Sequence, residues 1–340
     1  MPTLDIFNDD AFSLSSLTAR VNTELGYVPG QVGSSGLFEE DGVSTLTVMI
    51  EERDGNLSLI EPSERGGPGE TVGNEKDKLR SFVIPHIQRD DSVMADEVQG
   101  RRAFGTENDV ETVQSVLDRK MSRHYRAIDM TVEHFRVGAL KGLITTKGGR
   151  TLYNLHNEFD ITAASDFNFA LNAESTNIRT KCFDLVRAIE DELDEPYSHI
   201  HAFVGDDFWK SLIEHKHVRE TFLNTAQAGE LRGSLVTDRF EFGGIVWERY
   251  RTGKKGTAAN GGAGFIASNE ARFAPAGVPE LFITRFAPAD YEETVNTDGL
   301  PRYAKQWAMP NGKGRNIEMQ SNPLCLCTRP GVLRRGVISA

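Results

Sequence analysis

The side chains in this chain that could do chemistry occur in a few short patterns. His199 and His201 form one His-x-His pair, and His215 and His217 form another. On a strand, such a pair puts two imidazoles on one face. A metal site needs three or four ligands in a defined set, and no spacing here supplies a third. Cys325 and Cys327 alternate in the same way without a second cysteine pair, so they read as packed thiols. Asp206-Asp207 could act as paired carboxylates, but at the start of a helix they suit an N-cap favoured by the dipole. Glu133-His134 lacks the second histidine of a zinc protease. The glycine-rich stretches Gly261-Gly262-Ala263-Gly264 and Asn311-Gly312-Lys313-Gly314 lack the spacing of a phosphate cradle, and G-x-S-x-G is absent. No nucleophile, base and orienter are suggested together, so no catalytic residue, cofactor site or metal ligand is assigned.

The element that would position everything else is a long helix. Apolar residues fall at Val110, Val113, Leu117, Met121, Tyr125, Ile128, Val132, Phe135 and Ala139, in steps of three and four. Asp118, Arg119, Lys120, Arg123, Arg126, Asp129 and Arg136 lie between them. With Thr106 or Asn108 as cap and Gly142 as stop, the pattern predicts a helix over residues 106–141, roughly 50 Å long. Typical helices are much shorter. One apolar stripe on so long a helix describes a spine with other parts spread along it.

The composition narrows the function. Across 340 residues there are 50 acidic and 38 basic side chains, a net charge of −12, and no basic run offers a nucleic-acid stripe. No apolar run reaches a membrane span and no signal-peptide pattern opens the chain, so neither membrane insertion nor secretion is expected. Three cysteines point to a reducing compartment without a disulfide framework.

Around the spine, residues 1–40 read as an arm too irregular to pack by itself, lying on something else. Residues 44–62 read as a hairpin turning at Asp54-Gly55, followed by a Gly-rich tip at residues 64–70. Another extended segment, limited by Pro85, completes a two-stranded excursion over residues 44–90. A short helix is expected over residues 92–100. After the spine, Gly148-Gly149 turns a second hairpin, and residues 156–174 read as loop. Residues 175–290 alternate helices and strands: a helix from a Ser175 cap to Pro196, a strand at 199–204, a helix from Asp206, and two strand runs about Gly243-Gly244. A loop at 251–264 and strands at 265–266 and 281–286 follow. The end holds a strand around Ile317–Leu326 interrupted by Pro323, then a basic tail with Arg334-Arg335. The class is α+β.

In this order, the runs Ser81-Phe-Val-Ile-Pro-His86-Ile87, Glu97-Val-Gln-Gly-Arg101-Arg-Ala-Phe-Gly105, Asp129-Met-Thr-Val-Glu133 and Ala139-Leu-Lys-Gly142 resemble the lambda-type phage major capsid protein E family. Phe286-Ala-Pro-Ala-Asp290, Asn296-Thr-Asp-Gly299-Leu-Pro-Arg-Tyr303, Gln320-Ser-Asn-Pro-Leu324 and Arg329-Pro330 extend the resemblance toward the C-terminus. The resemblance implies the Hong Kong 97-like tailed-phage capsid fold. Residues 1–40 would be the N-arm, 41–90 the extended loop, and 91–174 a peripheral domain carrying the spine helix. Residues 175–289 would be the axial domain, and 290–340 the return to the peripheral domain. It further implies a structural, non-enzymatic protein that assembles with itself into hexamers and pentamers of an icosahedral head enclosing double-stranded DNA. The implied partners are a scaffold, a portal, a decoration protein and non-specifically packaged DNA, with no membrane. The location would be the virion, after assembly in the bacterial host cytoplasm. On the extended loop, Arg53, Asp54, Glu64, Arg65 and Lys78 are candidate interface residues, where charge pairs set register more than energy. Some shells of this fold carry lysine–asparagine cross-links, for which Lys76, Lys78 and Asn322 are the candidates here, though no supporting acid is marked. The alternatives are a soluble metal-dependent hydrolase and a phage connector or tail ring protein.

Overall fold

The computed structural model describes residues 14–23, 30–52, 78–98, 113–193, 195–223, 239–310 and 312–339. The predicted spine is present as Val113–Lys141, 29 residues and so about 44 Å long. The expected start and its caps lie outside the described residues. The stripe is buried as the spacing requires, from Leu117 through Met121, Tyr125, Ile128, Val132 and Phe135 to Ala139. Gly142 ends it at φ +73, where a Cβ would strike the His156 ring.

Sixteen described strands follow one another along the chain. Before the spine come β1 (Glu39–Gly42), β2 (Thr47–Glu52), β3 (Lys78–Val83) and β4 (Ile87–Met94). After it come β5 (Leu143–Thr145), β6 (Thr151–Asn154), β7 (Phe167–Asn168), β8 (His199–Val204), β9 (Arg239–Phe242) and β10 (Ile245–Arg249). The last third holds β11 (Glu270–Ala276), β12 (Phe282–Phe286), β13 (Tyr303–Ala308), β14 (Gly314–Ser321), β15 (Pro323–Cys327) and β16 (Arg334–Val337). They form a mixed six-stranded sheet in the order β7-β16-β11-β8-β10-β9, two three-stranded sheets, β1-β12-β15 and β13-β14-β4, the ribbon β2-β3 and the hairpin β5-β6.

Two cores result. One gathers the spine stripe, the arm residues Leu17, Val21 and Val32, and the inner residues of β12, β14 and β15. The other lies between the six-stranded sheet and its helices. Phe169, Phe208, Trp247 and Phe273 form its centre, with ring centroids 5.4–6.2 Å apart.

Several expectations need correction. The described arm does not wait for another surface: Leu14–Thr23 packs beside β13, and Asn22 donates to the Arg302 carbonyl at 3.0 Å. β2 pairs with β3, register Thr47↔Val83 to Glu52↔Lys78; the turn at Asp54-Gly55 and the return at residues 57–60 fall outside the described residues. Residues 92–94 are strand, because β14 pairs with β4 as far as Met94↔Gly314; among the described residues of that stretch the helix is Ala95–Val98. Residues 156–174 contain a helical turn, Leu155–Glu158, and β7. The cap of Ile178–Leu193 is Asn177, which accepts from the Thr180 N–H at 3.3 Å, rather than Ser175. Gly253–Ala259 is a helix inside the expected loop, and residues 265–266 are not strand. β11 was not expected at all, since its Ala and Pro content lacks strand propensity. Pro275 is tolerated there because the β16 ladder stops at Phe273. The basic tail is no tail: β16 lies between β7 and β11, and Arg334 donates to the Ala188 carbonyl at 2.7 Å.

Candidate assembly surfaces

The ribbon has two unlike faces because strand side chains alternate. Its inner face is finished. Phe82 packs on Tyr153 and Phe159, Arg80 pairs with Asp160 at 3.2 Å, and the Tyr153 hydroxyl donates to the Val83 carbonyl at 2.7 Å. Its outer face bares apolar residues beside Thr47 and Ser81: Met49 is 63% exposed, Leu79 64% and Val83 61%; Leu46, just before β2, is 66% exposed. Isolated exposed apolar residues are ordinary, but a cluster on one ribbon face marks an interaction site. Among the sequence-derived candidates, Lys78 is exposed at the far end of this ribbon, opposite Glu52. Arg53, Asp54, Glu64 and Arg65 lie outside the described residues.

The polar side of the spine holds residues that periodicity alone cannot interpret. Asp118 receives Arg20 at 2.9 Å. Lys120 reaches Glu97 at 2.6 Å, and His124 reaches Asp91 at 2.7 Å. Asp129 takes a forked pair from buried Arg302, whose guanidinium also lies 5.1 Å from the Tyr125 ring. Glu133 accepts from the Val32 N–H at 2.8 Å, the Gly33 N–H at 3.2 Å and the Tyr250 hydroxyl at 3.2 Å, fixing the arm to the helix. Burial pushes the Glu133 carboxyl up despite those donors. Arg136, fully buried, reaches Glu40 at 2.5 Å and Thr284 at 3.4 Å.

At its C-terminal end the spine meets the six-stranded sheet through a charge cluster. Glu270, 3% exposed, lies 2.9 Å from Arg272, 2.7 Å from Arg335 and 3.7 Å from Lys141, and Arg335 reaches Asp166 at 2.9 Å. Burial alone would raise the Glu270 carboxyl, but Arg272 and Lys141 outweigh it and hold it low. The cluster carried no sequence signal, because apart from the neighbouring Glu270–Arg272 pair its partners lie far apart along the chain.

The residues first read for chemistry serve structure. His201 is buried on Glu248 at 3.0 Å, while His215 faces the Ala173 carbonyl at 3.2 Å, so the two histidine pairs face different partners. Among the described residues no group of three His, Cys, Asp or Glu is placed to hold a metal. Cys325 and Cys327 are buried together on β15, and burial pushes their thiols up to about 11 and about 12. Asp206 is not the cap: Gly205 is, and Asp206 instead accepts from the Arg249 guanidinium at 2.6 Å, while Asp207 turns toward Lys210 at 3.9 Å. Asn322 is buried, bonded to the Pro288 carbonyl at 2.7 Å and His86 at 2.8 Å, and so is not presented to a lysine.

This arrangement has relatives. A profile described as phage major capsid protein E matches residues 13–338. The chain belongs to the phage major capsid protein E family. The major capsid protein of Pseudomonas phage KPP10 is 29% identical over 326 residues, covering 88% of this chain and 90% of that protein. The major capsid protein of Salmonella phage Felix O1 is 26% identical, with 95% of each covered. Among solved structures, a crystal structure assigned as the capsid protein of an E. coli CFT073 prophage superposes with TM-score 0.58 at 14% identity, covering 96% of this chain and 98% of that one. The mature capsid of bacteriophage PhiM1 gives 0.52 at 10% identity, with 91% and 87% covered. The family therefore carries here the α+β tailed-phage capsid fold, with the spine helix as its longest described element.

Proposed function

We infer that this chain is the major capsid protein of a tailed phage, the repeated structural subunit of its head, and that it works without catalysis. The observation that carries the assembly reading is the ribbon: one face is packed on its own subunit, and the other bares apolar residues. A face of that kind is buried when a second copy covers it. A head-to-tail contact between two different patches closes into rings, which is how hexamers and pentamers would arise. The charged candidates, Lys78 with Arg53, Asp54, Glu64 and Arg65, would set the register of that contact rather than its strength. In this reading the arm, extended loop, peripheral domain and axial domain follow the boundaries 1–40, 41–90, 91–174 with 290–340, and 175–289. Because β7 and β16 join the six-stranded sheet, they would move with the axial part. Scaffold, portal and decoration proteins would meet the assembled lattice in the host cytoplasm, and the finished shell would be part of the virion.

Negative-stain microscopy of the full chain, co-expressed with the phage's scaffold, tests this. Closed icosahedral shells are expected. Rings alone would favour a connector, and monomers at high concentration would overturn the reading.

A further inference from the structure

Two polar joints attach the six-stranded sheet to the spine helix, and a third segment builds one of them. Glu133 and Lys141 lie about two turns apart on the spine, roughly 12 Å along its axis. Lys141 meets Glu270 of β11 directly, at 3.7 Å. At Glu133 the direct contact is the Tyr250 hydroxyl, just past β10, which donates at 3.2 Å. The rest of that joint is the arm turn Gln31–Ser34. On the spine side, the Val32 and Gly33 N–H groups donate to the two Glu133 oxygens. A Cβ at Gly30 would lie 2.1 Å from the Glu133 Cδ, so a larger residue there would push the carboxylate off its donors. On the sheet side, the Gln31 amide pairs with the end of β10 as a parallel strand would. It donates to the Arg249 carbonyl at 2.6 Å and accepts from the Arg251 N–H at 2.9 Å. It also donates to Glu248 at 2.6 Å, whose other oxygen bonds His201 of β8 at 3.0 Å. The contact is otherwise apolar, with Phe203 and Ala274 of the sheet in the core of the spine.

We propose that the turn Gln31–Ser34 is a strap that sets the angle between the sheet and the spine, and that drawing the arm away frees the sheet to pivot on the Lys141–Glu270 joint. Apolar contact resists separation but is non-directional, whereas hydrogen bonds fix an orientation. The strap can leave without breaking a strand. Gln31 binds through its side chain, and β10 keeps its own ladders to β8 and β9. One apolar peg, fully buried Val32, seats the turn in the core. Release therefore costs a handful of hydrogen bonds and one valine, far less than unfolding either core. The arm thus controls an angle between parts more than 100 residues away in the chain, whether or not the chain forms shells.

The test is the distance between spin labels on the spine and on the sheet's helix, placed by Arg123→Cys and Asp184→Cys, both exposed positions. Labelled full chain is diluted with unlabelled chain, so that distances fall within one subunit. Cys182, Cys325 and Cys327 are buried, with thiols pushed up by burial, and stay unlabelled. One narrow distance is expected with the strap intact. Gln31→Ala, which cuts the sheet side, and Gly30→Ala, which cuts the spine side, should each broaden it and add a second population. The pair together should broaden it no further than the stronger single change, because both break one joint. Hydrogen exchange in β8 and β11 should stay as in the wild type, since the sheet moves as a body. An unchanged distance in Gln31→Ala and in the double variant overturns the proposal. So does additive broadening, which would mean two independent contacts, or broadening with lost protection inside the sheet, which would mean local unfolding. If Gly30→Ala does not fold, Gln31→Ala decides by itself, since its side chain is partly exposed and outside both cores.

Discussion

The six-stranded sheet and the β2–β3 ribbon are built from the same alternation of side chains and end in opposite conditions. The sheet is closed on itself: Trp247, Phe169, Phe208 and Phe273 are buried inside one subunit. The ribbon buries Phe82 and leaves Met49, Leu79 and Val83 bare. The first region draws its stability from within the chain. The second is packed on its own subunit through one face and leaves an apolar row on the other, which a second copy would cover in the assembly proposed above. The spine helix meets the sheet through the Lys141–Glu270 pair, whereas the ribbon rests on the segment after the spine, through Arg80 on Asp160 and Phe82 on Tyr153 and Phe159. The teaching is that a subunit of this kind separates parts that must fold from parts that must meet.

That separation can be broken from the folding side. Val132→Asp places an unpaired charge on the buried stripe, at a cost of several kcal/mol. The expected outcome is insoluble protein, read from the soluble fraction and circular dichroism. Trp247→Ala should cost about 3–5 kcal/mol. Hydrogen exchange is expected to lose protection first in the six-stranded sheet, with the spine retained longer. Simultaneous loss in both would show a single cooperative unit.

Glu270→Gln removes the acceptor that holds Arg272, Arg335 and Lys141 together, and should cost about 3–5 kcal/mol. It also carries a pH signature. The Glu270 carboxyl is held low in the fold, so its contribution is present above the unfolded value of about 4.3 and is lost as pH falls through the folded value. The same sign holds for Asp91: burial raises it, but the His124 bond, the Ser92 N–H and Lys120 lower it further. Melting temperature against pH should therefore fall below about pH 4.3 in the wild type and fall less in the variant.

Glu133→Gln keeps one oxygen acceptor for the arm and loses the other, for about 1–2 kcal/mol. Limited proteolysis is expected to reach residues 30–38 sooner while the two cores hold. The smallest effect on the fold comes from the ribbon. Leu79→Ser with Met49→Ser should change monomer stability by less than about 0.5 kcal/mol, yet sharply reduce particle yield by microscopy. Normal particles from that double variant would remove the distinction between the two regions. Deleting the glycine-rich residues 66–69 tests the same point on the stretch expected from the sequence to be the loop tip, with a folded monomer and impaired assembly expected.

What the sequence determined alone was whatever local periodicity can encode. The spine stripe, its Gly142 stop, the hairpin at Gly148-Gly149, the strand at His199–Val204 and the turn at Gly243-Gly244 all follow from spacing and from glycines at positive φ. The ordered runs shared with a family extended that to the fold. What only the tertiary structure decided was the use of residues whose partners lie far along the chain. Nothing local distinguishes Asp129 or Glu133 from solvated charges; Arg302 and the turn at residues 31–34 give them their roles. β11 has no strand composition of its own and exists because β8 and β16 supply its ladders. Arg334-Arg335 reads as an exposed basic end until β16 is seen paired inside the sheet, with Arg335 on Glu270. Periodicity measures how a segment meets one surface, whereas ion pairs and sheet order depend on which segments the fold brings side by side.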